Sequence, residues 1–239
     1  VIKLIASDYD GTINCGGDSI ERNAVAIRKW RKAGNLFGVV TGRGVGIKKE
    51  LAERGVETDF ILCNNSAVCI HNGEYVYTER NDIHLVLGLA DFIQKNGAGY
   101  FGLVSPEGEV GFTADKIPED LLNHPDFTQF TAIAGDEESA ARICEAVNKE
   151  YQGVLSAYPN GIFIDIVKYG VSKATGISRV AQIFGVSEEE CTAVGDNLND
   201  LVMIEAFSGY AVAGGREQVK ARAKHVVNSV HEMIESLLP

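Results

Sequence analysis

The segment Lys3-Leu4-Ile5-Ala6-Ser7-Asp8-Tyr9-Asp10-Gly11-Thr12 runs from apolar residues into two aspartates spaced by one position. Read as a buried strand that stops abruptly, it puts two carboxylates where desolvation makes an unpaired charge costly. Such groups pair with a cation or change protonation. Two of them together suit a hard metal ion bound through oxygen. Gly11 can take the dihedrals that turn the chain off the strand, and the Thr12 hydroxyl can bond back to the loop. Taken alone, Asp-Gly after a strand is equally an ordinary turn.

Three further pieces share that setting: Thr41-Gly42-Arg43, Lys173, and Gly195-Asp196-Asn197-Leu198-Asn199-Asp200. Two of them follow apolar runs directly, Leu36 to Val40 and Thr192 to Val194. Lys173 opens a helical segment, whose N-terminus favours anions. All four pieces fall where an open parallel sheet presents its carboxyl edge, the place where ligands of such sheets bind.

The elements that must position them alternate between strand and helix at first, the pattern of parallel βαβ units. Ser19 is expected to cap a helix from about Ile20 to Ala33, followed by a strand over 36–40, a helix over 45–54 and a strand over 60–63. Asn72-Gly73 marks a hairpin between Val68–Ile70 and Tyr75–Tyr77. From Asp82 the order changes to a helix, two strands, an irregular stretch, a strand, a helix over 137–151 and a hairpin across Pro159-Asn160-Gly161, which reads as an antiparallel α+β insertion. Alternation resumes at Val171 with a helix to Phe184, a capping box at Ser187-Glu188-Glu189-Glu190 and strands at 192–194, 210–212 and 225–227. The expected fold is therefore α/β: a doubly wound, Rossmann-like parallel-sheet core, residues 1–81 and 167–239, carrying an inserted α+β cap over 82–166.

Composition narrows the partners. A formal charge of -11 argues against nucleic acid or an anionic membrane as a partner held by general electrostatics. The five cysteines are scattered without close pairing, which fits neither a disulfide framework nor a zinc site and suits a reducing cytoplasm. No segment has the length of apolar sequence that a membrane span needs, and Lys3 interrupts the only apolar run near the start. The five histidines fall in no metal-ligand spacing. Gly42-Arg43-Gly44-Val45-Gly46 imitates a dinucleotide loop, but Ile47 stands where the third glycine belongs.

At its four pieces the sequence resembles the haloacid dehalogenase superfamily, and the place and strand order of the insertion look like its Cof-like, type IIB branch. The resemblance covers essentially the whole chain. It implies a Mg²⁺-dependent phosphatase acting on a small phosphorylated metabolite, a sugar phosphate or phosphoglycolate-like compound. Asp8 is then the nucleophile that forms an aspartyl-phosphate and also holds the metal. Asp10 is the acid and base, and its main-chain carbonyl is a second metal ligand. Asp196 is the third, with Thr12 and Asp200 orienting the site. Tyr9, Thr41, Gly42, Lys173 and Asn199 contact the phosphoryl group. Arg43 stays outside this set, because a position after Thr-Gly can pair with carboxylates instead of touching substrate.

Two departures and two rivals accompany that reading. Where the branch usually has Asn-Gly-Ala, this chain has Asn65-Ser66-Ala67, and the cap turn Tyr158 to Gly161 with Asp165 is a candidate for facing the substrate. A phosphomutase would use the same aspartyl-phosphate, and a metabolite-binding module without catalysis is the rival from another class. Dehalogenation needs no second aspartate two residues on, so Asp10 speaks against it. Whether the chain is a monomer or a homodimer stays open.

Overall fold

A computed structural model describes residues 2–238. Along the chain come β1 (Leu4–Ser7), α1 (Ser19–Lys32), β2 (Leu36–Val40), α2 (Ile47–Glu53), β3 (Phe60–Cys63), β4 (Val68–His71), β5 (Glu74–Thr78) and α3 (Leu85–Lys95). They are followed by β6 (Tyr100–Ser105), β7 (Gly108–Thr113), β8 (Gln129–Ile133), α4 (Glu137–Glu150), β9 (Leu155–Asn160), β10 (Phe163–Lys168) and α5 (Lys173–Phe184). The last are β11 (Cys191–Gly195), α6 (Leu201–Ala206), β12 (Ser208–Val212), α7 (Glu217–Lys220), β13 (His225–Val227) and α8 (Val230–Leu237). The chain divides into two compact units, one of residues up to Val76 with those from Ser172 onward, the other Tyr77–Val171.

The larger unit is built on a sheet of order β13-β12-β11-β1-β2-β3-β4-β5. Its strands run parallel from β13 to β3, and β4 reverses direction against β3. β1 is buried at every position, as a central strand covered on both faces must be. Alternation sends Ile5, Phe37, Val39, Ile61 and Val194 into one cluster with Ile27 and Trp30 of α1, Leu51 of α2 and Met233 of α8. Helices α5 and α6 instead touch β3, β11 and β12 and give nothing to that cluster, so helices cover both faces. Gly38 shows how tight the layer is, since a Cβ there would overlap the Phe60 ring.

The smaller unit is an antiparallel sheet of order β7-β6-β8-β10-β9. Its core joins Leu89 and Ile93 of α3 and Ile143 and Val147 of α4 to Phe101, Phe130, Ile164 and Ile166 of the strands. The unit extends a few residues beyond the expected 82–166. Lys168 pairs with Glu79 at 3.0 Å and the Tyr158 hydroxyl donates to the Val171 carbonyl at 2.8 Å, which ties both flanks to this unit.

Two expected caps are not formed. Ser19 is the first residue of α1 rather than its cap, and its hydroxyl accepts from the Cys15 amide at 3.0 Å. Ser187 makes no side-chain cap, because Glu188–Glu190 complete a single 3₁₀ turn before β11 begins at Cys191. Reciprocal capping boxes occur instead at Ser172 with Thr175 and at Asn197 with Asp200. No described helix is long and apolar enough to cross a membrane.

Candidate active site

Asp8 and Asp10 leave the carboxyl end of β1. The Asp8 amide still donates to the Val194 carbonyl at 2.9 Å, so the strand's register fixes where the first carboxylate begins. Gly11 then turns the chain at φ +79°, in the region that favours glycine. A Cβ at Gly11 would overlap the Asp196 carboxylate, so the turn also makes room for a residue of another loop.

Around this turn the structure gathers residues far apart in sequence. Lys173, at the start of α5, donates from Nζ to Asp8 Oδ1 at 2.7 Å and to Asp200 Oδ1 at 2.5 Å. The Ser172–Thr175 box pins that helix start, and the Lys173 side chain is only 1 % exposed. Asp200 is fully buried, and its other oxygen accepts from the amides of Asp196 and Asn197, each at 3.0 Å. Both Asp200 oxygens are thus engaged in holding the loop and the lysine. The Thr12 hydroxyl reaches Asp196 Oδ1 at 2.8 Å, further than the bond back to its own loop expected from sequence.

Charge in this pit is out of balance. Asp8, Asp196 and Asp200 each place a carboxylate oxygen within 4.8 Å of the others, and among the described residues the ammonium paired with two of them is that of Lys173. Burial, with Asp200 and Asp196 nearby, holds the Asp8 carboxyl well above the usual carboxylate range although Lys173 pulls the other way. Burial and then the Asp200 charge push Asp196 up to about 6, against the Thr12 hydrogen bond and Lys173. Burial alone would lower Lys173, yet Asp200 and Asp8 together raise it, so it stays a cation. The excess negative charge and the all-oxygen donor set fit a hard divalent cation. Asp8 Oδ2 accepts no hydrogen bond from the described residues, which leaves that oxygen available.

The remaining predicted residues lie as follows. Thr41 is buried at the end of β2, its amide on the Leu62 carbonyl at 2.8 Å and its Oγ1 accepting from the Arg43 amide at 3.1 Å. Gly42 is partly exposed between them, and Asn199 is buried in the turn before α6. Tyr9 points its ring into the core and donates its hydroxyl to Glu50 Oε1 at 2.8 Å, so only its main chain is left for a phosphate contact. Asp10 is half exposed and is held by Arg43, with Nε at 2.6 Å from Oδ2 and Nη2 at 2.5 Å from Oδ1. In the smaller unit Asp165 is buried, with Gln129 Nε2 at 3.4 Å and Asn160 Nδ2 at 3.5 Å.

Glu50 was not legible as part of this group. It sits on α2 and carries no local motif, and only the pairing of Arg43 with carboxylates hinted at a partner. The Ser66 departure has a structural counterpart: Asn64, Asn65 and Ser66 all have positive φ, with Ser66 at +80°. That loop follows β3 and packs on α5, since a Cβ at Gly176 would overlap Ser66.

Comparison with known proteins shows the family. The profile of the haloacid dehalogenase-like hydrolases matches residues 5–234. A phosphoglycolate phosphatase of Methanosarcina acetivorans is 38% identical over 232 residues, covering 95% of this chain and 90% of that protein. The 5-amino-6-(5-phospho-D-ribitylamino)uracil phosphatase YitU of Bacillus subtilis is 37% identical over 261 residues, covering 96% and 93%. Among solved structures, the HAD subclass IIB sugar phosphatase BT4131 shares the fold, with a TM-score of 0.76 at 21% identity over 98% of this chain and 97% of that one. The chain belongs to the haloacid dehalogenase-like hydrolases.

Proposed function

We propose that this hydrolase, a phosphatase of small phosphorylated metabolites, works with Mg²⁺ through an aspartyl-phosphate on Asp8. The observation that carries the reading is the convergence of Lys173 on Asp8 and Asp200, with Asp196 beside them. Asp8, Asp196 and the Asp10 main-chain carbonyl would hold the metal. When bound, it supplies positive charge that lets a phosphate dianion enter an acidic pit.

The chain's own residues divide the work. Asp8 Oδ2 attacks phosphorus while Lys173 holds Oδ1, so the ester bond breaks as an aspartyl-phosphate forms. Asp10 gives a proton to the departing alkoxide. It then takes one from the water that attacks the aspartyl-phosphate, freeing inorganic phosphate and regenerating Asp8. Lys173, Thr41, the Gly42 amide and Asn199 grip the equatorial oxygens, where charge spreads during transfer. Together these groups must remove on the order of 20 kcal/mol from the barrier of a monoester, more than any one of them supplies.

The substrate is a sugar phosphate or a phosphoglycolate-like acid, in keeping with the names of the relatives. Residues 77–171 serve as the unit that selects it, and the free cysteines suit a cytoplasmic setting. A panel of phosphorylated metabolites, assayed with Mg²⁺ and with EDTA, tests this. Turnover is expected only with the metal and only when Asp8 is intact. Turnover indifferent to chelator, or persisting in Asp8→Asn, overturns the reading.

A further inference from the structure

Arg43 stands at the centre of four contacts that the reaction as described does not use. Its Nε and Nη2 grip Asp10, its Nη1 donates to Glu50 Oε2 at 2.7 Å, and its guanidinium carbon lies 5.3 Å from the centroid of the Tyr9 ring. The other Glu50 oxygen receives the Tyr9 hydroxyl at 2.8 Å. Each side chain thus fixes the next, and the series ends on a ring buried in the core. The residues come from the end of β1, the loop after β2, and α2.

Stability does not account for this arrangement. The side chains of Arg43, Asp10 and Glu50 are 41 %, 50 % and 36 % exposed, and ion pairs that wet contribute little to folding. What the arrangement does is restrict orientation. An ion pair with a single contact leaves both long side chains free to turn, whereas a planar guanidinium engaged on two sides and stacked on a ring has one position.

We propose that Glu50 is a positioning residue for proton transfer at Asp10, acting through Arg43 and held in turn by the Tyr9 hydroxyl. Both Asp10 oxygens accept from Arg43 here, so the guanidinium sets the plane and position of that carboxyl group. A carboxyl about to give a proton carries an O–H, so one oxygen must turn away from the guanidinium in that half of the cycle. Arg43 stays on Glu50 meanwhile, and Asp10 returns to the same place to take a proton from water. The inference rests on Asp10 being the proton carrier, as proposed above.

The test compares Glu50→Ala, Glu50→Gln and Tyr9→Phe with the parent on two esters, an alkyl phosphate and p-nitrophenyl phosphate. An alkoxide needs a proton to leave and nitrophenolate does not, so only the first depends on a well-placed acid. Glu50→Ala is expected to lower kcat/KM on the alkyl phosphate about tenfold and on p-nitrophenyl phosphate less than about threefold. Glu50→Gln, whose carboxamide oxygen can still accept from Nη1, recovers most of the loss. Tyr9→Phe keeps the ring and shows the same selectivity to a smaller degree, which separates positioning from damage to the fold. Equal losses on both esters, or none in Glu50→Ala, overturn the inference. Asp10→Asn is the control: if it spares the alkyl phosphate, the proton-carrier reading itself has failed. If it abolishes turnover while Glu50→Ala does not matter, only the role of Glu50 is lost.

Discussion

The Lys173 ammonium lies 2.7 Å from Asp8 Oδ1, although the whole of the second unit, Tyr77–Val171, lies between the two residues in sequence. This contact, with the one to Asp200, gives the buried lysine its counter-charges. Removing one partner of a buried pair leaves the other uncompensated and typically costs about 3–5 kcal/mol. Lys173→Met is expected to lower stability by about 3 kcal/mol in urea unfolding and to reduce phosphatase kcat by about a hundredfold or more. Unfolding midpoints matching the parent's would mean that the lysine is not the keystone of the acidic cluster.

The raised Asp196 carboxyl gives metal-free protein a distinctive pH dependence. Its folded value of about 6 exceeds that of an exposed aspartate, so in the interval between them the folded state keeps a proton that the unfolded state has lost. Stability contributed by this group is therefore present at low pH and falls as pH rises towards the folded value. In EDTA, the parent should lose thermal stability relative to Asp196→Asn between about pH 4 and pH 7. Mg²⁺ should raise the parent's Tm more at about pH 7.5 than at about pH 5. A metal effect larger at the acidic end would contradict the assigned origin of the shift.

Gly11 meets two demands at once, a positive φ and clearance for the Asp196 carboxylate. Gly11→Ala violates both, and the yielding atom is the Asp196 side chain, displaced from the pit. Phosphatase kcat is expected to fall by about a hundredfold while the protein loses only about 1–2 kcal/mol of stability. Activity within about threefold of the parent would show that the position of Asp196 is not critical.

Ser66 holds φ at +80° and its Oγ is buried without a hydrogen-bond partner among the described residues. Both features cost stability, of the order of 1 kcal/mol each. Ser66→Gly is expected to be stabilising by about 1 kcal/mol, seen as a Tm increase of about 2–4 °C. A lower Tm would indicate that packing of the Ser66 side chain on α5 outweighs the strain it removes.

Much of this site could be read from the chain because each piece is short, sits directly after an apolar run, and is placed by sheet topology. Asp8, Thr41 and Asp196 all follow strands that pair in one parallel sheet, so reading the strands was enough to predict their approach. Lys173 could be placed because a helix start is marked by its flanking residues, although its Ser172–Thr175 box uses Thr where the usual pattern has Glu or Gln. Long-range side-chain partners were not legible. The Thr12 bond to Asp196 and the hold of Glu50 on Arg43 depend on which rotamers meet across loops, and no periodicity encodes that. The caps expected at Ser19 and Ser187 failed for a local reason, since each hydroxyl or turn was already committed to a neighbouring backbone group.

The central claim is that the Asp8 carboxylate takes the phosphoryl group. Mixing the enzyme with radiolabelled substrate and Mg²⁺, quenching in acid within one turnover and locating the label by peptide mapping tests it directly. Label on the peptide carrying Asp8, lost on treatment with hydroxylamine and missing from Asp8→Asn, is the predicted result. Full substrate turnover with no label on that peptide would contradict it.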